Sequence, residues 1–215
     1  MIHDFSMRGL SSVESGITSG MAHLASGVTG TDTVPAIVAL EHYYKATGLV
    51  GASVPATEHS VMCMGTKEDE VGTFERLLDL YPTGILSVVS DTWNLWDVVR
   101  PGGICTKLKD KIMARDGKLV IRPDSGDPVQ TLKKIFNILW DKFGGKVNEK
   151  GFKVLDDHIR VIQGDGVNYN SIIDILKMMV AEGFSVENIV FGMGGALLQR
   201  LIGTLKNLPS SVHIL

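Results

Sequence analysis

The stretch Leu119–Gly126, with the sequence LVIRPDSG, decides the predicted fold of this chain. It opens with apolar residues that favour a buried strand, and it ends abruptly in a guanidinium, a carboxylate, a hydroxyl and a glycine. Asp127 and Pro128 follow at once, and they suit the N-cap and the first turn of a helix. A strand that ends in clustered polar groups before a helix is typical of α/β proteins with a site at the carboxyl ends of their strands.

The same succession of apolar strand, polar turn and helix recurs at Ser87–Asp91, Arg160–Gly166 and Ile189–Gly195. Strand, loop and helix alternate roughly seven times, and repeated units of this kind are joined by right-handed crossovers between parallel strands. We therefore predict an α/β fold whose repeated β-α units form an incomplete or irregular (β/α) barrel-like body, with a doubly wound open sheet as the alternative. The strand ends are expected to converge on one ligand.

Three further segments carry specific structural predictions. Ser11 and Glu14 fit a capping box that opens a helix over residues 12–25. A single helix is expected over Cys105–Ala114, and a hairpin or loop over the polar segment Lys146–Asp157.

Length and composition limit the class of protein. A chain of 215 residues can bury one core, so we expect a single domain over residues 1–215. The net charge of −3 and the scattered Lys and Arg argue against nucleic-acid binding, and no apolar run reaches the length of a bilayer span. The N-terminus has no secretory pattern, and Cys63 and Cys105 lack zinc-site spacing. A reduced, cytoplasmic setting without membrane partners is expected.

Several candidate residues have two interpretations when taken alone. The glycines of Gly192–Gly195 could cradle a phosphate at a helix N-terminus or form an ordinary turn. Asp165 could bind sugar hydroxyls or sit in a tight turn, and Arg122 with Asp124 could be a site or a structural ion pair. His59, beside a glutamate, could be a general base, a phosphate acceptor or a metal ligand, or none of these.

Taken together, the motifs resemble those of a known family. They are, in order, FSMRGLSS from Phe5, GTDT from Gly30, SVPATEHS from Ser53, SVVSD from Ser87, IRPDSG from Ile121, VIQGDGV from Val161 and FGMGGALLQ from Phe191. In this set the chain resembles the nicotinamide phosphoribosyltransferases, which are type II phosphoribosyltransferases of NAD salvage. The resemblance covers only the central part of that longer family.

The resemblance implies a role for each matching residue. Phe5 would stack on the nicotinamide ring, Asp32 would accept a hydrogen bond from its carboxamide, and Arg122 would hold the ring from another side. Arg8 and Ser87 would lie nearby. The residues implied around the ribose and its 5-phosphate are Asp91, Asp124, Gly164 and Asp165 for the sugar, and Gly194 and Gly195 for the phosphate.

The resemblance also implies the reaction and its partners. Phosphoribosyl would pass from phosphoribosyl pyrophosphate to nicotinamide in a homodimer, with Mg²⁺ carried mainly by the diphosphate and with no protein metal site. His59 resembles the histidine that the family phosphorylates when it couples ATP hydrolysis to synthesis. The carboxylate of Asp32 would repel nicotinate and accept from an amide, which disfavours a nicotinate phosphoribosyltransferase.

One departure from the family pattern keeps an alternative open. Gly203 stands where the family has a phosphate-binding arginine, and Arg200 lies three positions before it. The alternative is a non-catalytic fragment or remnant of such an enzyme. An unrelated α/β phosphate-binding protein is a further alternative.

Overall fold

The structure is a computed structural model that describes residues 2–195. It divides into two compact units. The amino-terminal unit comprises Ile2–Ser53 and the segment that begins at Gly192, and the central unit comprises Val54–Phe191. The predictions for Arg200 and Gly203 lie outside the described residues.

The amino-terminal unit packs two helices beside short parallel strands. Its elements are β1 (Ile2–Asp4), α1 (Val13–Ala25), β2 (Gly30–Thr31), α2 (Val34–Tyr44) and the end of β8 (Ile189–Met193). Its core is the cluster of Leu24, Ala36 and Leu40.

The start of α1 differs from the predicted capping box. Ser12, not Ser11, is the N-cap, and its side chain accepts a hydrogen bond from the backbone N–H of Ser15. Adjacent serines offer the same hydroxyl, so the sequence alone did not decide which of them would cap.

The central unit carries the longest strands and helices of the described chain. Its elements are α3 (His59–Cys63), α4 (Glu70–Leu80), β3 (Thr83–Val89), α5 (Leu95–Val99), α6 (Ile104–Lys107), α7 (Lys109–Met113), β4 (Asp116–Arg122), α8 (Pro128–Phe143), β5 (Gly145–Val147), β6 (Lys153–Leu155), β7 (Ile159–Gln163), α9 (Tyr169–Ala181) and the beginning of β8.

The strands form a parallel sheet in the order β2-β1-β8-β7-β4-β3. The register pairs Val89 with Arg122 and Gln163 with Phe191, so neighbouring strands end at the same edge. The predicted α/β class with parallel strands is therefore confirmed. Of the hairpin or loop predicted for Lys146–Asp157, the structure has the hairpin, because β5 and β6 pair in the antiparallel sense.

Helix α8 shows why the segment after β4 folds as predicted. Asp127 caps it by accepting a hydrogen bond from the N–H of Gln130 at 2.7 Å, and Pro128 occupies its first turn. Its apolar face is fully buried, and Phe136 lies against the ring of Phe184 with 5.4 Å between centroids. Each such buried side chain contributes about 2 kcal/mol to folding.

The single helix predicted over Cys105–Ala114 is wrong. The chain forms α6 and α7 there, with Leu108 between them in a non-helical conformation. The sequence pattern hides this break because Ile104, Leu108 and Ile112 keep the four-residue spacing of one helix face, and all three are buried.

Candidate functional site

The ends of β3 and β4 bring two predicted aspartates together. Ser90 N–H donates to the carbonyl of Arg122 at 2.9 Å, which extends the pairing of the two strands by one residue. Asp91 Oδ2 then accepts from the backbone N–H of Asp124 at 3.0 Å and from the hydroxyl of Ser125 at 2.5 Å. The side chain of Asp91 is only 5% exposed. These bonds fix the two carboxylates relative to each other.

Arg122 is the buried cation of this group. Its Nε and Nη2 atoms lie 3.3 and 3.2 Å from the two oxygens of Asp124, and Nη1 lies 3.4 Å from Glu58 Oε1. Burial alone would lower the pKa of the guanidinium, but Asp124 and Glu58 outweigh burial and raise that pKa above its usual value. Arg122 and Asp124, which the sequence suggested as either a site or a structural ion pair, do form an ion pair.

An irregular segment beside β3 carries Glu58 to this position. Ser87 N–H donates to the carbonyl of Pro55 at 2.9 Å, and Thr57 N–H donates to the carbonyl of Ser87 at 3.0 Å. The Thr57 hydroxyl accepts from Val89 N–H at 3.0 Å. These strand-like bonds hold the segment although Pro55 and its neighbours do not form a regular strand.

His59 begins α3 and lies between the aspartates. Its Nε2 atom is 3.4 Å from Asp124 Oδ2 and 4.0 Å from Asp91 Oδ1, and its Nδ1 atom is 3.1 Å from the hydroxyl of Thr92. The imidazole is 45% exposed, so an incoming group can reach it. Asp91 Oδ1 is buried and has no hydrogen-bond partner within residues 2–195.

We call Glu58, His59, Asp91, Arg122 and Asp124 the His59 cluster. It holds three carboxylates against one guanidinium, so negative charge is in excess when the imidazole is neutral. A preorganised excess of negative charge stabilises a cation that develops nearby. In the described part of the chain, no three His, Cys, Asp or Glu side chains are grouped as ligands for a metal ion.

Gly164 and Asp165 follow the end of β7, which pairs with β4. They therefore lie at the sheet edge that carries Asp124. Asp165 is exposed, and its carbonyl accepts from Gln163 Nε2 at 2.8 Å. Within residues 2–195 its carboxylate makes no hydrogen bond or ion pair with the His59 cluster.

In the amino-terminal unit, the buried carboxylate of Asp4 joins the ends of β1 and β2. It accepts hydrogen bonds from the Ser6 hydroxyl at 2.6 Å and the Thr33 hydroxyl at 2.8 Å. Asp4 pairs with Thr31 in the register, so the residues that follow them, Phe5 and Asp32, leave the sheet at the same level. Asp4 thereby positions two predicted site residues.

Asp32 is held by two side chains that the sequence analysis did not single out. Ser53 Oγ donates to Asp32 Oδ1 at 2.5 Å, and His3 Nε2 lies 2.9 Å from the same oxygen. The carboxylate is nevertheless 49% exposed. We call His3, Phe5, Asp32 and Ser53 the Asp32 cluster.

The glycines at the end of β8 and just after it allow close approaches of other groups to the backbone. A Cβ atom on Gly192 would overlap the ring of Phe5, so only glycine leaves room for that ring. A Cβ on Gly195 would lie 2.8 Å from the carbonyl oxygen of Gly9, whereas a Cβ on Gly194 would meet nothing within 4 Å. Arg8 is exposed in the short 3-10 turn that ends at Gly9, so Arg8, Gly194 and Gly195 belong to one neighbourhood.

The predicted site residues therefore form two groups, one in each unit. The prediction that they serve one ligand stays a prediction. Four contacting side chains were missed from the sequence: Ser53 and Ser125 lie within the quoted motifs, whereas His3 and Thr92 lie one or two residues outside them. Their position in or beside a motif was the available signal in the sequence. The contacts themselves were not predictable, because each side chain contacts a residue more than 20 positions away in the chain.

The described helices include none with both the length and the apolar character that crossing a membrane requires.

Comparison with known proteins gives consistent results. A model of the nicotinate phosphoribosyltransferase (NAPRTase) family matches residues 1–212. Proteins named nicotinamide phosphoribosyltransferase are similar, from Acinetobacter baylyi (45% identity over 89% of this chain and 41% of theirs) and Xanthomonas campestris (43% over 93% and 42%). The Mycoplasma pneumoniae protein of the same name is 37% identical over 93% of this chain and 44% of its own. The chain thus spans less than half the length of these relatives.

A solved structure shows the same fold. The crystal structure of nicotinate-nucleotide pyrophosphorylase from Pyrococcus furiosus matches 92% of this chain and 42% of its own, with a TM-score of 0.56. The sequence identity is 15%, so this likeness concerns the fold alone.

Proposed function

Because the chain belongs to the nicotinate phosphoribosyltransferase family, we propose that the protein it represents is a nicotinamide phosphoribosyltransferase. The reaction transfers phosphoribosyl from phosphoribosyl pyrophosphate to nicotinamide and gives nicotinamide mononucleotide and pyrophosphate. The relatives named nicotinamide phosphoribosyltransferase support this choice of substrate over nicotinate.

The observation that carries the proposal is the exposed carboxylate of Asp32 beside an aromatic side chain. Phe5 and Asp32 follow paired residues of β1 and β2, so a planar ring stacked on Phe5 would present its substituent to Asp32. A carboxylate accepts from a carboxamide N–H and repels the carboxylate of nicotinate. Arg8, Ser87 and Arg122 complete the ring contacts in this proposal.

The His59 cluster is assigned to the sugar. Loss of pyrophosphate leaves positive charge on the ribose, which Asp91 and Asp124 would stabilise through the excess of negative charge described above. Asp165 and Gly164 would bind the ribose hydroxyls, and Gly194 and Gly195 would bind the 5-phosphate through backbone N–H groups. Mg²⁺ would be held mainly by the oxygen atoms of the diphosphate, which it prefers as ligands.

His59 is the proposed acceptor in ATP coupling. Its imidazole is accessible, and it is oriented by Thr92 on one nitrogen and by Asp124 on the other. In this step one unprotonated ring nitrogen would give up its contact and attack the γ-phosphorus of ATP, with ADP as the leaving group, while the contact at the other nitrogen keeps the ring oriented. We place this reaction in the cytoplasm and in a homodimer.

The test is a substrate comparison with the full-length protein that contains this chain. Initial rates are measured with phosphoribosyl pyrophosphate, ATP and Mg²⁺, and with either nicotinamide or nicotinate. We expect nicotinamide to be preferred, and the Asp32→Ala variant to lose about tenfold or more of that preference. Asp69→Ala, which removes an exposed carboxylate paired with Arg76 on the surface of the central unit, is the matched control. Equal use of both substrates by the unaltered protein would contradict the proposal.

A further inference from the structure

The imidazole of His3 links the two side chains proposed to contact the nicotinamide ring. On one side, its Nε2 atom lies 2.9 Å from Asp32 Oδ1. On the other side, its ring lies against Phe5, with 5.6 Å between centroids and a 45° angle between planes. Such a distance and tilt fall in the range of favourable aromatic contacts. One side chain therefore touches both the proposed stacking ring and the proposed amide acceptor.

The backbone is shaped to hold His3 in this place. A Cβ atom on Gly30 would lie 2.8 Å from Nδ1 of His3, so Gly30 leaves the space that the imidazole occupies. His3 and Gly30 are register partners of β1 and β2, which fixes the distance between them. The imidazole is largely buried, whereas the carboxylate it contacts is half exposed.

Ser53 makes a second contact with Asp32, and it follows Asp32 in the sequence whereas His3 precedes it. Its hydroxyl donates to the same oxygen, Oδ1, at 2.5 Å. The two groups lie 29 and 21 residues from Asp32 in the sequence, and both approach one atom. Two contacts on one oxygen fix the rotation of the carboxylate, which a single contact would leave free.

We infer that His3 and Ser53 are positioning residues that set the preference for an amide over a carboxylate by fixing the orientation of Asp32. This inference rests on the proposed function, because Asp32 is taken there as the residue that meets the amide. His3 has the larger share of this role, since it also holds Phe5. A displacement of about 1 Å in such a group costs up to about a hundredfold, and the loss of one of the two contacts on Asp32 is expected to cost less than that.

The test measures kcat and KM for nicotinamide and for nicotinate in the full-length protein and its variants. We expect His3→Ala to lower the ratio of kcat/KM for the two substrates about tenfold, mainly by raising KM for nicotinamide, since the lost orientation weakens binding before and during the reaction. His3→Gln, whose amide can still donate to Asp32, should retain the ratio within about threefold. Gly30→Ala should act in the same direction as His3→Ala, because it displaces the imidazole.

His158→Ala is the matched control. His158 makes the same kind of contact, with 2.6 Å between its Nδ1 atom and Asp156 Oδ1, but it precedes β7 in the central unit. It should leave the substrate ratio unchanged. An equal loss for both substrates in His3→Ala would indicate a purely structural role and overturn the inference.

The outcome separates this inference from the proposed function. If the unaltered protein shows no preference for nicotinamide, the proposed function fails. If it shows that preference and His3→Ala and Ser53→Ala both retain the ratio, only the inference about positioning fails. Ser53→Ala keeps the test decisive if His3→Ala does not fold.

Discussion

The His59 cluster and the Asp32 cluster each contain a carboxylate that accepts a hydrogen bond from a serine hydroxyl at 2.5 Å. The two carboxylates differ in their exposure to solvent. Asp91 is almost completely buried, and its neighbour Asp124 is held by the guanidinium of Arg122. Asp32 is half exposed and contacts an imidazole and a hydroxyl. Charge buried from water must be compensated within the protein, whereas exposed charge is compensated by solvent.

This difference separates stability from recognition. In the His59 cluster, Asp124 is proposed to stabilise a ribosyl cation and also pairs with the buried guanidinium of Arg122, so changes to this ion pair are expected to affect folding. In the Asp32 cluster, the carboxylate proposed to recognise the amide is half exposed, so we expect its substitution to affect specificity more than folding. Each of the following predictions tests one part of this contrast.

The largest effect is expected from removing the buried cation. Arg122→Ala leaves Asp124 and Glu58 without their guanidinium, and we expect the free energy of unfolding to fall by about 3 kcal/mol. Asp32→Ala, the comparison from the other cluster, should change it by no more than about 0.5 kcal/mol. Urea unfolding of both variants measures the difference. Similar small losses in the two variants would mean that burial does not distinguish the clusters.

A second buried carboxylate in the central unit has no ion pair with an arginine among residues 2–195. Glu70, at the start of α4, is buried, and its Oε1 atom has no hydrogen-bond partner within the described part of the chain. Burial, with a smaller contribution from Asp97 and against that of Lys67, raises its pKa from 4.5 to about 7. The contrast with Asp124 is that the compensating cation, Lys67, does not outweigh the effect of burial on the pKa of Glu70.

The raised pKa of Glu70 predicts that stability falls as the pH rises. The carboxyl group has a pKa of 4.5 in the unfolded chain and of about 7 in the folded protein. Unfolding therefore releases a proton between these pH values, and the free energy of unfolding falls as the pH rises through them. We expect Glu70→Gln to be more stable than the unaltered protein by about 2 kcal/mol at pH 8 and nearly equal at pH 4.5. Urea unfolding at both pH values tests this, and a pH-independent difference would contradict it.

The sequence predicted where the polar strand ends are, but not how they contact each other. Asp127 and Pro128 specify the start of α8 locally, and the alternation of strands and helices specifies the parallel sheet, so both were predictable. The contact between His3 and Asp32 joins residues 29 apart, and it follows from the register of β1 and β2, which no local pattern encodes. Burial of Arg122 likewise depends on an irregular segment, around Pro55, whose path the sequence does not show.

The smallest effect compares the two serine hydroxyls directly. Ser125→Ala removes a donor to Asp91, whose carboxylate is 5% exposed although Ser125 itself lies at the surface, and we expect a loss of about 1 kcal/mol in the free energy of unfolding. Ser53→Ala removes a donor at the same distance from the exposed Asp32, where water takes its place, and the loss should stay below about 0.5 kcal/mol.

This pair compares a buried with an exposed acceptor carboxylate while the residue type, the substitution and the distance from donor to acceptor stay the same. If Ser53→Ala costs as much as Ser125→Ala, the hydroxyl of Ser53 supports the fold rather than the orientation of an exposed carboxylate. A small loss of stability, combined with a changed preference between nicotinamide and nicotinate, would instead assign Ser53 to recognition, since orienting an exposed group affects the ligand more than it affects folding.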